Sequence, residues 1–392
     1  MENSTIEKIQ AELAKIGLDG WLLYDFHGTN DIAVRFLGLR GTLTRRSFYY
    51  IPASGGPIGL VHAIEKAPWQ NIPGAKRYFS SYRALEAELA QTLKGAKRVA
   101  MEYSPFGRLP YVGKVDAGTV ELVRSFGIEV VSSADLVAAF DARLTGEQIA
   151  THRTAAGHLN RIKDEAFAFI RSSLGAGRKV TEYDVVRLML DRFVQAGMVT
   201  DFDPICAAGP NGGNPHYEAT ETVFSEIKKG DLIVLDLWAR LDAPGTITAD
   251  ITWMAYAGEV PPDLYERQFA LLCRARDAAG QHIRDQWGKK AIFGYEVDDV
   301  CRNVIVKEKL ADHFTHRTGH SIATATHGPG PNIDNMETED RRQLMPGHLF
   351  SIEPGLYFND YGMRSEINVL ITESGPEVTT QPVQQAIVRL LP

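Results

Sequence analysis

Four acidic residues sit in stretches of this chain that are otherwise apolar or glycine-rich. Asp236 closes the run IVLD, Asp250 opens DITW, Glu353 lies in SIEPGLY and Glu366 in RSEINVLIT. Between the two pairs, the stretch His316–Gly330 (HRTGHSIATATHGPG) carries His320 and His327, each close to glycine. Taking an ionised carboxylate out of water is costly unless a partner compensates. Four carboxylates and an imidazole in such surroundings are too many ionisable groups to bury without a cation. A two-metal site uses this ligand set, and hard oxygen donors with one imidazole suit manganese, iron, cobalt or zinc.

Each residue has a plainer reading beside the metal one. A single Asp in an apolar strand can be a salt-bridged core residue. Two of them, on runs that read as neighbouring strands, point to a shared partner. Pro354 and Gly355 form a turn that can hold Glu353 rigidly. Glu366 alone reads as a strand-surface residue, but Arg364 two positions earlier is a natural partner for a buried acid. Two bridged ions, about 3.5–4 Å apart, would share a water and lower its pKa. Glu353 is then the candidate to take and return a proton. His327, seven residues after His320, and His216, in the loop PNGGNPHYEA, could bind a substrate carbonyl or a developing oxyanion. A lone histidine in a Gly/Pro loop is otherwise just exposed.

The rest of the chain bounds the class. With 392 residues it is long enough for two domains, and 44% apolar with 23% charged residues describe a globular protein. A formal charge of -7 argues against a nucleic-acid partner. Cys206, Cys273 and Cys301 are odd in number with no CxxC spacing, which fits a reducing compartment. The N-terminus lacks the basic and apolar regions of a secretory signal, and no uncharged apolar run reaches about 18 residues. A cytoplasmic protein is expected, with no membrane contact.

In chain order, Glu7–Ile16 reads as an amphipathic helix ended by Gly17. Strand-like runs DGWLLYD, RSFYYIP, PIGLVHA, RVAMEYS and IEVVSS then alternate with helices over Ala84–Lys94 and Gly118–Phe126. Asp25, His27 and Asn30 in YDFHGTND read as a turn rather than an active-site lid, and Arg45 and Arg46 as a solvated hairpin edge. Thr145 with Gln148 forms a capping box. It opens a long helix whose His152 and His158 read as surface residues. Thr181 opens a second helix. The expected organisation is an α/β domain over 1–144 and an α+β domain over 145–392.

The order of these residues resembles the pita-bread metallopeptidases: methionine aminopeptidase, aminopeptidase P and prolidase. The likeness spans about the whole chain, because the proline-specific branch also carries an N-terminal α/β domain, of the creatinase-like kind. It implies that Asp236 is the terminal ligand of one metal, that Asp250 and Glu366 bridge, and that His320 and Glu353 hold the second. It implies substrate-handling roles for His216 and His327, and an orienting role for Arg364. Two divalent ions, manganese foremost with cobalt, zinc or iron as alternatives, and a homodimer are further implications. Two features depart from the family. The segment between Asp236 and Asp250 is longer than usual, which could displace a strand end. Trp253 stands where DITR has arginine, which could remove a supporting partner or alter a pocket wall.

The function expected from the resemblance is a dinuclear-metal-dependent Xaa-Pro dipeptidase. It would cleave the bond before proline through a hydroxide shared by the metals. The alternatives are an Xaa-Pro aminopeptidase acting on longer proline-containing peptides, a metal-dependent hydrolase of a small non-peptide amide, and a binder that has kept the fold but lost catalysis. The intact ligand set speaks against the last.

Overall fold

The computed structural model describes residues 3–391, which divide into two compact units, Met1–Asp141 and Ala142–Pro392.

In the first unit the elements run α1 (Asn3–Ile16), β1 (Gly20–Asp25), α2 (Asp31–Leu37), β2 (Ser47–Pro52), β3 (Ile58–His62), β4 (Ala75–Phe79), α3 (Tyr82–Thr92), β5 (Arg98–Met101), α4 (Ala117–Ser125), β6 (Glu129–Ser132) and α5 (Ala134–Phe140). The strands form one sheet in the order β4-β3-β2-β1-β5-β6. β1 is buried along its whole length because both faces of the sheet are covered. Trp21 and Leu23 pack with Ile6, Ile9 and Leu13 of α1 and with Leu136 of α5. Leu22 and Tyr24, pointing the other way, pack with Leu85 and Leu89 of α3 and Val120 and Val123 of α4. Gly17, at φ 69°, ends α1.

The YDFHGTND segment is a turn. The Asp25 carboxylate accepts from the Gly28 and Asn30 amides at 2.9 and 3.0 Å, and the Asn30 side chain caps α2 by accepting from Ala33. Arg45 is exposed and its guanidinium bonds back to Thr44.

Among the described residues, the most deeply buried acid of this unit is Glu102. Its carboxyl accepts from Trp21 Nε1 (2.7 Å), Asn30 Nδ2 (2.9 Å) and Ser133 Oγ (3.1 Å). Burial pushes its pKa up to about 7, and the three donors only partly offset that. A carboxyl that holds its proton more tightly when folded stabilises the fold fully below its unfolded pKa, near 4.5. That contribution is lost as pH rises through 7. Its size is on the order of 3 kcal/mol. Urea unfolding of the full chain between pH 4.5 and 8 should therefore show the first-unit transition weakening with pH. Glu102→Gln, which cannot ionise, should flatten the profile, and equal slopes for the two proteins would rule the account out.

The second unit contains α6 (Gly146–Gly175), α7 (Glu182–Gln195), β7 (Met198–Val199), β8 (Ile205–Ala208), β9 (Leu232–Leu241), β10 (Ala249–Tyr256), α8 (Asp263–Gln286), α9 (Gly294–Lys307), β11 (Leu349–Ile352), β12 (Gly355–Tyr357), β13 (Gly362–Arg364), β14 (Ile367–Thr372), β15 (Gly375–Val378) and β16 (Val388–Arg389). The Thr145–Gln148 capping box opens α6. β9 pairs antiparallel with β10 on one side and with β7 and β8 on the other, and β16 adds to the far edge of β10. Two smaller sheets, β11-β14-β15 and β12-β13, complete the unit.

Alternation along β9 and β10 divides the core. Leu235, Leu237 and Ile251 join Leu159, Ile162 and Phe167 of α6 and Val185 and Met189 of α7. Val234 and Met254, on the opposite face, join Phe269 and Leu272 of α8 with Phe350 and Ile367. Among the described residues, no helix is long and apolar enough to cross a membrane.

His152 is not the surface residue its polar neighbours in sequence suggest. It is buried, with Nδ1 2.8 Å from the Thr248 carbonyl and Nε2 2.6 Å from Thr379 Oγ1. Burial pushes its pKa down to about 4, so it ties α6 to the sheets as a neutral ring. His158, half-buried on the same helix, contacts Arg161.

Candidate metal centre

The antiparallel register sets Asp236 opposite Thr252 and Asp250 opposite Trp238. The four positions are an even number of residues apart, so all four lie on one face of the β9–β10 hairpin. About half of the segment between the two aspartates is strand. β9 continues to Leu241, β10 begins at Ala249, and the connection is residues 242–248. Trp253 faces away from this surface, opposite Leu235, and packs with the α6 and α7 core. The Lys163 ammonium, itself buried, sits 3.5 Å from its ring centroid. Trp253 therefore does not form a pocket wall.

The other ligand candidates come from two adjacent backbones. Glu353 N bonds to Thr318 O (2.7 Å), Ser351 N to His320 O (2.9 Å) and Ile322 N to Leu349 O (2.8 Å), so the His320 segment runs beside β11. The approach is close enough that a Cβ on Gly319 would fall 1.9 Å from the Ser351 carbonyl oxygen. His320 and Glu353 are thereby brought side by side, with Nε2 3.3 Å from Glu353 Oε1 and 3.6 Å from Asp250 Oδ2. The other ring nitrogen, Nδ1, is 3.2 Å from the Ser321 carbonyl, so Nε2 is the nitrogen turned to the acids; burial acts downward on the ring, but Asp250 and Glu353 raise its pKa above the ordinary value. Ser351 Oγ donates to Glu353 Oε1 at 2.8 Å.

Glu366 lies just before β14, buried, and its Oε2 accepts from Thr252 Oγ1 at 2.8 Å. The Arg364 guanidinium binds Asp236 through Nη2, Thr252 Oγ1 through Nε (3.0 Å) and the Tyr357 hydroxyl through Nη1 (2.8 Å). Tyr357 in turn lies 2.8 Å from His316 Nε2, whose Nδ1 meets the Arg317 carbonyl at 2.7 Å. Burial pushes His316 down to about 4, so this ring is neutral. Thr252, Tyr357 and His316 carry no warning in the sequence beyond lying within four residues of a ligand candidate. No periodicity singles them out.

The ligand candidates meet in one cavity of about 690 Å³. Asp236, Asp250, His320, Glu353, Glu366, Arg364, His216 and His327 all reach it. The His327 ring stands edge-on to His320, centroids 4.5 Å apart. Trp238, Arg317 and Phe202 add walls that the sequence reading did not single out.

The electrostatics suit a cation. Burial, then repulsion from neighbouring acids, raises the pKa of Glu366 well above the usual range, and burial raises that of Asp250 to about 7. Burial also raises Asp236, against the pull of Arg364. For Glu353 burial acts upward too, but His320 and Arg364 hold it below its ordinary value. Asp250 Oδ1 and Glu366 Oε1 are buried with no hydrogen-bond partner. Asp250, His320 and Glu366 each offer a ligand atom, and these atoms lie within 4.8 Å of one another. Orphaned buried acceptors beside an imidazole nitrogen are what a divalent cation with oxygen and nitrogen ligands would complete.

Comparison with known proteins gives the same direction. Residues 150–373 match metallopeptidase family M24. A probable dipeptidase PepE of Mycobacterium bovis is 26% identical over 340 residues, covering 85% of this chain and 83% of its own length. The solved dipeptidase PepE of Mycobacterium ulcerans superposes with a TM-score of 0.76 at 23% identity, over 99% of this chain and 98% of that one. The prolidase of Pyrococcus horikoshii OT3 superposes with a TM-score of 0.66 at 21% identity, over 98% and 100%. The α/β first domain and pita-bread second domain expected from the sequence are the architecture these structures share.

Proposed function

The chain belongs to metallopeptidase family M24, and from that premise we propose that it is a dinuclear-metal-dependent Xaa-Pro dipeptidase. The observation that carries the reading is the convergence of five ligand-type side chains on one cavity, two of them with buried, unpartnered oxygens. Asp236 would hold one ion, Asp250 and Glu366 would be shared, and His320 and Glu353 would hold the other, with manganese the preferred metal. When bound, the ions supply the Lewis acidity that makes a water nucleophilic near neutral pH.

The chain's own residues do the rest. Glu353 accepts a proton as the water oxygen attacks the carbonyl carbon, and it delivers that proton to the proline nitrogen as the C–N bond breaks. His216 and His327 face the same cavity and donate to the carbonyl oxygen as charge develops on it. Arg364, fixed by Tyr357 and Thr252, keeps the Asp236 carboxylate aimed at the site.

The volume of the cavity, about 690 Å³, is the one observation that favours aminopeptidase action on longer peptides instead. Ala-Pro, Ala-Pro-Ala and Ala-Ala, each with added manganese, separate the readings. Hydrolysis of Ala-Pro alone is the expected result. Cleavage of the tripeptide but not the dipeptide would replace the dipeptidase with the aminopeptidase, and preference for Ala-Ala would remove proline specificity altogether.

A further inference from the structure

The loop that presents His216 is tied down by a buried acid belonging to neither the metal set nor the cavity wall. Glu182, the first residue of α7, is fully buried. Its Oε1 accepts from Ala208 N (2.7 Å) and Asn211 Nδ2 (3.0 Å). Its Oε2 accepts from the Tyr217 hydroxyl (2.7 Å), Ser225 N (2.6 Å) and Asn211 Nδ2 (3.0 Å). These four partners are spread from the start to the end of the 208–225 segment, and all are neutral donors. The Glu182 amide also returns a bond to Ser225 O at 3.1 Å. Both ends of the loop and one side chain near its middle therefore converge on a single carboxyl group.

That middle anchor is next to His216. Tyr217 packs between the two cores of the second unit, with its hydroxyl on Glu182. On the other side, the His216 amide bonds to Asn214 Oδ1 (3.0 Å) and the Tyr217 amide to Asn214 O (3.1 Å), closing a turn. His216 itself is exposed and lines the cavity. An exposed ring in a Gly/Pro/Asn loop would sample many positions, and a donor misplaced by about 1 Å can lose most of its effect on a reaction. We propose that Glu182 is a positioning residue for the reaction: it holds the 208–225 loop, through Tyr217 above all, so that His216 stays at the mouth of the cavity. The inference rests on the role given to His216 in the function proposed above.

Two variants test it. Glu182→Gln keeps one acceptor oxygen but sets an amide N–H against the Ser225 N–H, donor facing donor. Tyr217→Phe removes only the hydroxyl tie and is the gentler change. In the metal-free full-length protein, hydrogen exchange over 208–225 should rise roughly tenfold in each, while β9 and β10 keep their protection. In the manganese-loaded protein, kcat for Ala-Pro should fall roughly tenfold or more with metal content unchanged. The decisive comparison adds His216→Ala. If Glu182 acts through His216, Glu182→Gln costs nothing further in that background. Unchanged loop exchange in both variants overturns the proposal, and so does full multiplication of the two activity losses. If His216→Ala alone leaves turnover intact while the loop loosens in Glu182→Gln, the clamp stands and His216 drops out of the proposed mechanism.

Discussion

His320→Ala should lower turnover of a proline dipeptide by roughly a thousandfold and lower bound manganese with it, because the water-activating and carbonyl-polarising contributions of a metal amount to several kcal/mol. The fold should survive. His320 is held by its backbone, N to Ser351 Oγ and O to Ser351 N, each at 2.9 Å, and neither bond needs the ring. Glu366→Gln sharpens the test. Its Oε2 bond from Thr252 can persist, whereas the unpartnered Oε1 no longer adds negative charge beside Asp250, Glu353 and Asp236. The metal-free variant should therefore melt no lower than wild type while its activity is lost, as expected when a functional charge is held at a cost to stability. Metal analysis, thermal melts of the stripped protein and peptide hydrolysis read the three quantities separately. Near-wild-type turnover in either variant would remove that residue from the ligand set.

Asp340→Ala should cost the second unit about 3–5 kcal/mol, the penalty for leaving one partner of a buried ion pair alone. Asp340 and Arg342 are both buried and meet through two parallel bonds, Nε to Oδ1 at 2.9 Å and Nη2 to Oδ2 at 2.6 Å. Asp340 Oδ2 also accepts from Asn332 N, and Arg342 Nη1 donates to Pro329 O. Asn332 Oδ1 in turn accepts from Ser321 N, next to His320. The pair therefore holds the returning half of the segment that carries His320 and His327. A large drop in the urea midpoint is expected, and Arg342→Leu in the same chain should restore part of it by removing the stranded cation. No recovery in the double variant would show that the loss comes from the loop bonds to Asn332 and Pro329 rather than from the unpaired charge.

Much of the candidate site could be read before any fold was known. Asp236 and Asp250 are recognisable because an acid in a β-branched run is expensive, and Glu353 because proline and glycine fix the turn after it. The helix starts at Thr145 and Thr181 follow from side-chain capping, a local effect. His152 shows where local reasoning fails: its neighbours in α6 are polar, but its ring lands between Thr248 and Thr379, about 100 and 230 residues away. Trp253 fails in the same way. Standing where DITR has arginine, it reads as a lost supporting partner or an altered pocket wall, yet it lies an odd number of residues from Asp250 on β10 and so points to the opposite face.

By itself, then, the sequence determined the kinds of group available, the periodic elements that carry them and the need for a compensating cation, because burial cost, strand alternation and capping act over a few residues. Only the tertiary structure decided which groups meet. The Arg364–Thr252–Glu366 contacts, the Tyr357–His316 pair and the Glu182 clamp on the His216 loop all depend on register between strands and on packing between distant segments. A hydrogen bond is satisfied by any donor brought within about 3 Å, and nothing in a one-dimensional pattern says which distant donor that will be.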